Sequence, residues 1–562
     1  MVPSTGPGAS VLIRFLSLTL FGLATAACSA QEFEPGPAMV AAANPHAVEA
    51  GLEALRDGGS AVDAAIAIQT TLSLVEPQSS GIGGGAFMVY YDAGTGETTV
   101  YDGREMAPAA TTTEHWLDEN GEPLGFMAAW TSGRAVGVPG VIAMLAQAHA
   151  DHGDRDWADN FTFAEALAED GFEISPRLHS LIVRVGQARD VSTTPDLRDY
   201  LFDDAGTAHP VAHVLANPDY AGSLRLIADD WRNFYEGPLA EDIVEAVAAG
   251  PVPGQMTLED LANYRPEVRA PICREYRSWN ICSAPPPSSG GVIVNEIMGM
   301  LEPFDMAATG PDTAEGWRRF IEASRLAYSD RDAFIADTAF VDVPVEALLS
   351  DDYINTRSAL IDRDTAIPSI PAGEPDLPGT SHFVVVDSAG NVVSMTTTVE
   401  FLFGSNRMAG GFFLNNQLTD FNFNPLNADG SPAANAPTGG KRPRSSMSPT
   451  IVFDADGAFE LATGSPGGAS IIAYVSKTLV GMLDWGLTPQ EAINLPNVVG
   501  RGDIIRIEDS FPAELADELR AMGFTLDANR TENSGLHIIR RLEDGSLTGG
   551  ADTRREGVVG EP

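Results

Sequence analysis

The stretch PDLPGTSHFVVVDSAGNVVSMTTTVEFLFG, Pro375 to Gly404, sets a Thr-Ser-His directly before an apolar, β-branched run. HFVVVD, the turn DSAGN and NVVSMTTTV read as two strands joined as a hairpin. In front of them, PSIPAGEPDLPG, Pro368 to Gly379, is acidic and rich in Pro and Gly, which suits an exposed connector that can be nicked. A threonine hydroxyl is a poor nucleophile without a base beside it. Cleavage between Gly379 and Thr380 would free an α-amine within reach of that hydroxyl by covalent geometry alone. Its unperturbed pKa of about 7.7 to 8.0 suits a base near neutral pH. The same Gly-Thr-Ser also reads as an ordinary turn and strand start, so the local signal needs partners elsewhere in the chain.

Upstream, NPHAVEAGLEALRDGGSAVDAAIAIQTTLSLVEP places apolar residues at helical spacing, broken at Gly58-Gly59 and ended by Pro77, and reads as two packed helices. GIGGGAFMVYYDAGTGETTVYDGREMAP then switches to strands at Ala86 to Tyr91 and Thr98 to Tyr101. From Gly140 to about Asp364 the pattern is mainly helical, interrupted by the turn APPPSSGG, Ala284 to Gly291. Beyond the hairpin, GGFFLNN, PTIVFD and AFELAT read as strands and ASIIAYVSKTLVGML as a helix. With strands early and late and helices around them, the chain predicts an α+β fold of sheets sandwiched between helical layers.

The formal charge of −44 over 562 residues excludes an affinity for nucleic acid phosphates or anionic lipid surfaces and describes a solvated acidic exterior. SVLIRFLSLTLFGLATAACSAQ, Ser10 to Gln31, has Arg14 before a short apolar run and small residues after it, the layout of a secretory signal over residues 1–30. The run is too short for a comfortable membrane span. TAAC, ending at Cys28, resembles a lipoprotein cleavage box with Thr25 where Leu is usual, so a free exported form and a lipid-anchored one both stay open. Cys273 and Cys282 flank a short β-like segment and read either as a disulfide or as two thiols on diverging strands. The nine histidines form no metal-binding pattern, and no cofactor motif is present.

Seven words in order carry a resemblance: GIGGGAFM (Gly81 to Met88), DGREMAP (Asp102 to Pro108), PPPSSGG (Pro285 to Gly291), TSHFVVVD (Thr380 to Asp387), LNNQLTDF (Leu414 to Phe421), KRPRSSMSPT (Lys441 to Thr450) and TGSPGG (Thr463 to Gly468). Together they resemble the gamma-glutamyltransferases, a family of the N-terminal-nucleophile hydrolase class, over most of the chain. The resemblance implies a four-layer αββα sandwich. It also implies self-cleavage between Gly379 and Thr380 into a large subunit, residues 31–379, and a small one, residues 380–562, that stay associated.

The family's chemistry implies that Thr380 attacks γ-glutamyl amides of glutathione-like donors, and that water or an amino acid or peptide amine resolves the acyl-enzyme. Thr398 falls on the second threonine, whose hydroxyl bonds that of the nucleophile. Gly467 and Gly468 fall on the oxyanion-hole glycines, where bare backbone can approach the acyl carbon. Arg104, with Ser445 and Ser446, matches the clamp on the donor's α-carboxylate. Gln417 and Asp420 match the acceptors of its α-ammonium. His382 shares a strand face with Thr380, yet the family assigns the base to the α-amine.

Two departures stand out. Glu400 occupies a position where the best-known members place asparagine, and the segment from Phe421 to Lys441 is shorter than a lid and lacks an aromatic after Phe423. An open cleft for bulkier or polymeric donors is the expectation. The alternatives are a related acylase or poly-γ-glutamate hydrolase on the same fold, and a catalytically silent exported binding protein.

Overall fold

The computed structural model describes residues 36–250, 252–361, 365–368, 379–528 and 534–562. The signal segment with Cys28, and most of the connector ahead of Gly379, lie outside these residues. The chain from Gly36 onward is built on two antiparallel sheets. The first has seven strands in the order Val558–Gly560, Met39–Ala42, Thr380–Val386, Val392–Thr398, Gly85–Tyr91, Thr98–Asp102 and Glu267–Arg269. The second has six: Leu547–Ala551, His537–Arg541, Phe459–Gly464, Thr450–Phe453, Trp279–Ser283 and Ile272–Tyr276.

Period-two alternation assigns the faces of the first sheet. Val40, Ala42, Met88, Phe383, Val385, Val393 and Met395 point to one side, where helices Pro45–Arg56 and Ala61–Val75 cover them. Met39, Ala41, Phe87, Val89, Val384 and Val386 point to the other and pack on Ile281, Ile451, Leu461 and Ile538 of the second sheet. That sheet is covered in turn by helices Gly290–Leu301, Ala314–Phe334 and Ile471–Leu483. The result is helix, sheet, sheet, helix: the four-layer αββα sandwich.

All fifteen residues of the helix Ala61–Val75 are buried, because further helices cover its outer side, and this accounts for its apolar run AVDAAIAIQTTLSLV. Its start is fixed by a Ser60–Asp63 capping box, and Asp387 of the hairpin turn accepts from the Ala61 N–H at 3.0 Å.

The span from Gly140 to Asp364 is mainly helical; of its strands, Glu267–Arg269 lies at the edge of the first sheet and Ile272–Tyr276 and Trp279–Ser283 end the second. One sequence expectation needs correction. GGFFLNN yields only the pair Phe412–Phe413, in a hairpin with Met408–Ala409 outside both sheets. Cys273 of the edge strand Ile272–Tyr276 faces Cys282 of its neighbour Trp279–Ser283, and the two are bonded.

The glycines of GIGGG are placed by crowding. A Cβ on Gly84 would lie 2.0 Å from the Thr398 carbonyl oxygen, and one on Gly83 would lie 2.2 Å from that of Phe413. Gly84→Ala should therefore destabilise the fold by about 1–3 kcal/mol, as overpacking does. Chemical denaturation checks this against Gly222→Ala, a position with open space around it, which should not destabilise.

Candidate active site

The alternation that builds the sandwich also aims the threonines. Thr380, His382, Val384 and Val386 share the face turned toward the second sheet, so the Thr380 hydroxyl enters the gap between sheets at its open end. Thr398 stands directly opposite Thr380 in one ladder and opposite Gly85 in the other. The Thr380 hydroxyl donates to Thr398 Oγ1 at 3.2 Å, the Thr398 hydroxyl donates to the Gly379 carbonyl at 2.7 Å, and the Glu400 N–H donates to Thr398 Oγ1 at 2.8 Å. One donor and two acceptor positions are all that a hydroxyl offers, so Thr398 is saturated and its orientation is set.

Arg555 donates to the Thr380 carbonyl at 2.7 Å, and Ser381, on the opposite face, donates to Glu76 at 2.9 Å. The nucleophile candidate is thus held by backbone and side chain on both sides of the sheet.

Thr380 and Thr398 open into a cavity of about 490 Å³ that also takes in Arg104, Glu400, Gln417 and Asp420. Arg104 is only 1% exposed. It donates to Asp420 at 2.5 Å and to the carbonyls of Pro443 and Arg444 at 3.1 and 2.7 Å. Asp420 accepts from Gln417 Nε2 at 2.6 Å as well. Behind Arg104, burial pushes the Glu105 carboxyl up to about 8 even though the guanidinium lies 3.8 Å away. A paired Arg and Asp, both reachable from the cavity, can exchange their mutual contact for the carboxylate and ammonium of an α-amino acid.

Ser445 and Ser446 line the same cavity. Their loop is pinned by PPPSSGG: the Ser445 N–H donates to the Pro287 carbonyl at 2.9 Å, and the Ser445 carbonyl accepts from the N–H and hydroxyl of Ser289 at 2.9 and 2.7 Å. Ser446 Oγ accepts from Arg331 at 2.6 Å.

Gly467 and Gly468 form the turn into the helix Ile471–Leu483, with φ of +138° and +55°. Gly468 and Ala469 line the cavity. N–H groups at such a turn, ahead of a helix, suit a developing oxyanion.

His382 does not line the cavity. It is fully buried between the sheets, its Nδ1 lies 2.9 Å from Thr396 Oγ1, and burial holds its pKa well below the ordinary value. Glu400 lines the cavity at φ +79°, a left-handed conformation that asparagine adopts far more readily than glutamate. Asn416 donates to its carboxylate at 2.6 Å. From residue 421 to residue 441 only Phe423, stacked on Trp116, lines the cavity; Asn427 to Ser431 form a separate tight turn.

Sequence reasoning missed Ser289, Arg331, Arg444, Arg501 and Arg555. PPPSSGG was visible as a word without a role. Arg444 stood in KRPRSSMSPT directly before Ser445 without a role, whereas Arg331, Arg501 and Arg555 carry no local signal, because each reaches the site from a distant element.

The family model for gamma-glutamyltranspeptidase matches residues 47–561. The glutathione hydrolase proenzyme of Bacillus subtilis strain 168 is 36% identical over 93% of this chain and 91% of its own length. That of Escherichia coli K12 is 36% identical over 92% and 90%. The crystal structure of cephalosporin acylase from Bacillus halodurans superposes with a TM-score of 0.83 at 27% identity, covering 94% of this chain and 96% of that one. With its threonine pair, its Arg–Asp clamp and its glycine turn in one cavity, the chain belongs to the gamma-glutamyltranspeptidase family.

Proposed function

We propose that this chain is a self-cleaving γ-glutamyl hydrolase and transferase whose nucleophile is Thr380. The observation that carries the reading is the Thr398 hydroxyl, bonded at once to Thr380 Oγ1 and to the Gly379 carbonyl, in the cavity that holds Arg104 and Asp420. In the uncut chain Thr380 Oγ adds to the Gly379 carbonyl carbon, and Thr398 supports the developing oxyanion. The hydroxyl proton passes to the departing Thr380 nitrogen, leaving an ester that one water hydrolyses to a Gly379 carboxylate and a free Thr380 amine. Large and small subunits, residues up to 379 and from 380, then share the first sheet.

In turnover that amine takes the Thr380 hydroxyl proton as Oγ attacks the donor's γ-carbonyl, and returns it to the leaving amine. Arg104, Ser445 and Ser446 hold the α-carboxylate; Asp420, Gln417 and Glu400 meet the α-ammonium. N–H groups of Gly467 and Gly468 stabilise the tetrahedral oxyanion. Water or an amine acceptor resolves the ester, and glutathione-like amides are the donor class.

Among the described residues no helix is long and apolar enough to cross a membrane. The Cys273–Cys282 bond supports an oxidising, exported setting, periplasmic or extracellular, with the leader before residue 31 as the address.

Denaturing gels of the purified protein should show two chains, the smaller beginning Thr-Ser-His-Phe, and Thr380→Ala should remain one. A fully active single chain would refute the mechanism. An acylase reading has the acylase likeness in its favour, and the amine pocket separates the two. Glu400→Asn, which relieves a left-handed glutamate, should lower the kcat/KM ratio of γ-glutamyl to glutaryl anilide about tenfold, the value of one charge-assisted contact. A wild type that prefers the glutaryl donor would favour the acylase.

A further inference from the structure

We infer that the cavity carries a subsite for an apolar or aromatic amine: Leu124, Phe126, Met127 and Phe423 form a wall that binds the amine half of the donor, the part released when the amide breaks. The inference rests on the γ-glutamyl transfer reading of the cavity and names the substrate class that this reading leaves open.

The wall is held from behind. Trp116, Leu418 and Phe421 lie in a small apolar cluster apart from the two large cores, and Leu124 and Phe423 pack against it. Phe423 stacks on Trp116 with ring centres 4.9 Å apart. Trp116 Nε1 donates to the Leu418 carbonyl at 3.1 Å, and the Leu124 N–H donates to the Trp116 carbonyl at 2.8 Å. Phe126 meets Phe401 edge-on, with ring centres 5.5 Å apart. Three of the four side chains are therefore fixed before a substrate arrives, which cuts the ordering cost of binding. All four line the cavity, and three of them come from upstream of Thr380; the segment from residue 421 to residue 441 adds only Phe423.

Depth assigns the wall to the amine half. The anchors proposed for the γ-glutamyl half lie low in the cavity: Arg104, Gln417 and Thr398 are buried, and Thr380 is 4% exposed. The wall stands higher, with Leu124, Phe126 and Phe423 half-buried and Met127 51% exposed. A donor held at Arg104, Asp420 and Thr380 has its charged acyl half on the floor, so what reaches the rim is the group bonded through the amide nitrogen. Chemistry then sets the class. An aromatic or aliphatic amine takes apolar surface on both sides out of water, whereas a small polar amine leaves Met127 and its neighbours wet.

The test compares γ-glutamylphenylalanine with γ-glutamylalanine, donors that differ by one phenyl ring in the amine half, by following release of the free amino acid. Wild type should show a kcat/KM about tenfold higher for the phenylalanine donor, the value of burying a large apolar side chain. Met127→Gln, which keeps the length of an exposed side chain, should lower that ratio about fourfold, the worth of one buried methylene group. Should this variant fail to accumulate, Met127→Ala must lower the ratio as well. A wild type without the preference, a ratio that the substitution leaves unchanged, or equal losses on both donors overturns the inference while leaving the transfer reading intact. A wild type that releases amine from neither donor overturns both.

Discussion

The Thr398 hydroxyl is the constraint from which the site follows. It joins the nucleophile candidate, the carbonyl of the bond ahead of it and the backbone of the residue that opens the substrate pocket. Its position is fixed by register, because Thr398 sits between Thr380 and Gly85 in adjacent ladders. Its depth is fixed by Gly84, whose missing side chain lets the Thr398 carbonyl lie against the backbone. A slip of one residue in the ladder between Thr380 and Thr398 would turn one of the two hydroxyls to the helical side and part them.

The sandwich gives this hub its surroundings. Two sheets packed face to face leave an opening at the end of their shared core, and loops from both sheets and both helical layers meet there. The first sheet supplies Thr380 and Thr398, the loop after Asp102 supplies Arg104, and the loop before Thr450 supplies Ser445 and Ser446. The helix Ala314–Phe334 brings Arg331 from the far layer. Charge is sorted along with shape: the exterior is acidic, and the arginines gather where carboxylates must be held.

Much of this was legible in sequence. The hairpin from Thr380 to Thr398 was readable because its residues are β-branched and its turn is DSAGN. The two early helices were readable from period and from their glycine break. The pairing of Met39–Ala42 with Val558–Gly560 was not, since residues more than five hundred positions apart leave no local trace of their contact. The β-like segment between Cys273 and Cys282 was readable, whereas the edge strand Glu267–Arg269, two of whose three residues are charged, was not. In the site, Arg104, Gln417, Asp420, Ser445 and Ser446 stood inside recognisable words, whereas Arg331 and Arg501 looked like any charge on a helix or loop. Their convergence on Asp332 exists only in three dimensions.

Everything proposed for turnover depends on the Thr380 hydroxyl carrying the acyl group. Acid-quenched intact mass spectrometry of the small chain, taken during reaction with a γ-glutamyl anilide and no acceptor, tests it most directly. The expected result is a small chain beginning at Thr380 that gains the mass of one γ-glutamyl group on its first residue. Steady turnover with an unmodified small chain, or the acyl group on any other residue, would contradict it.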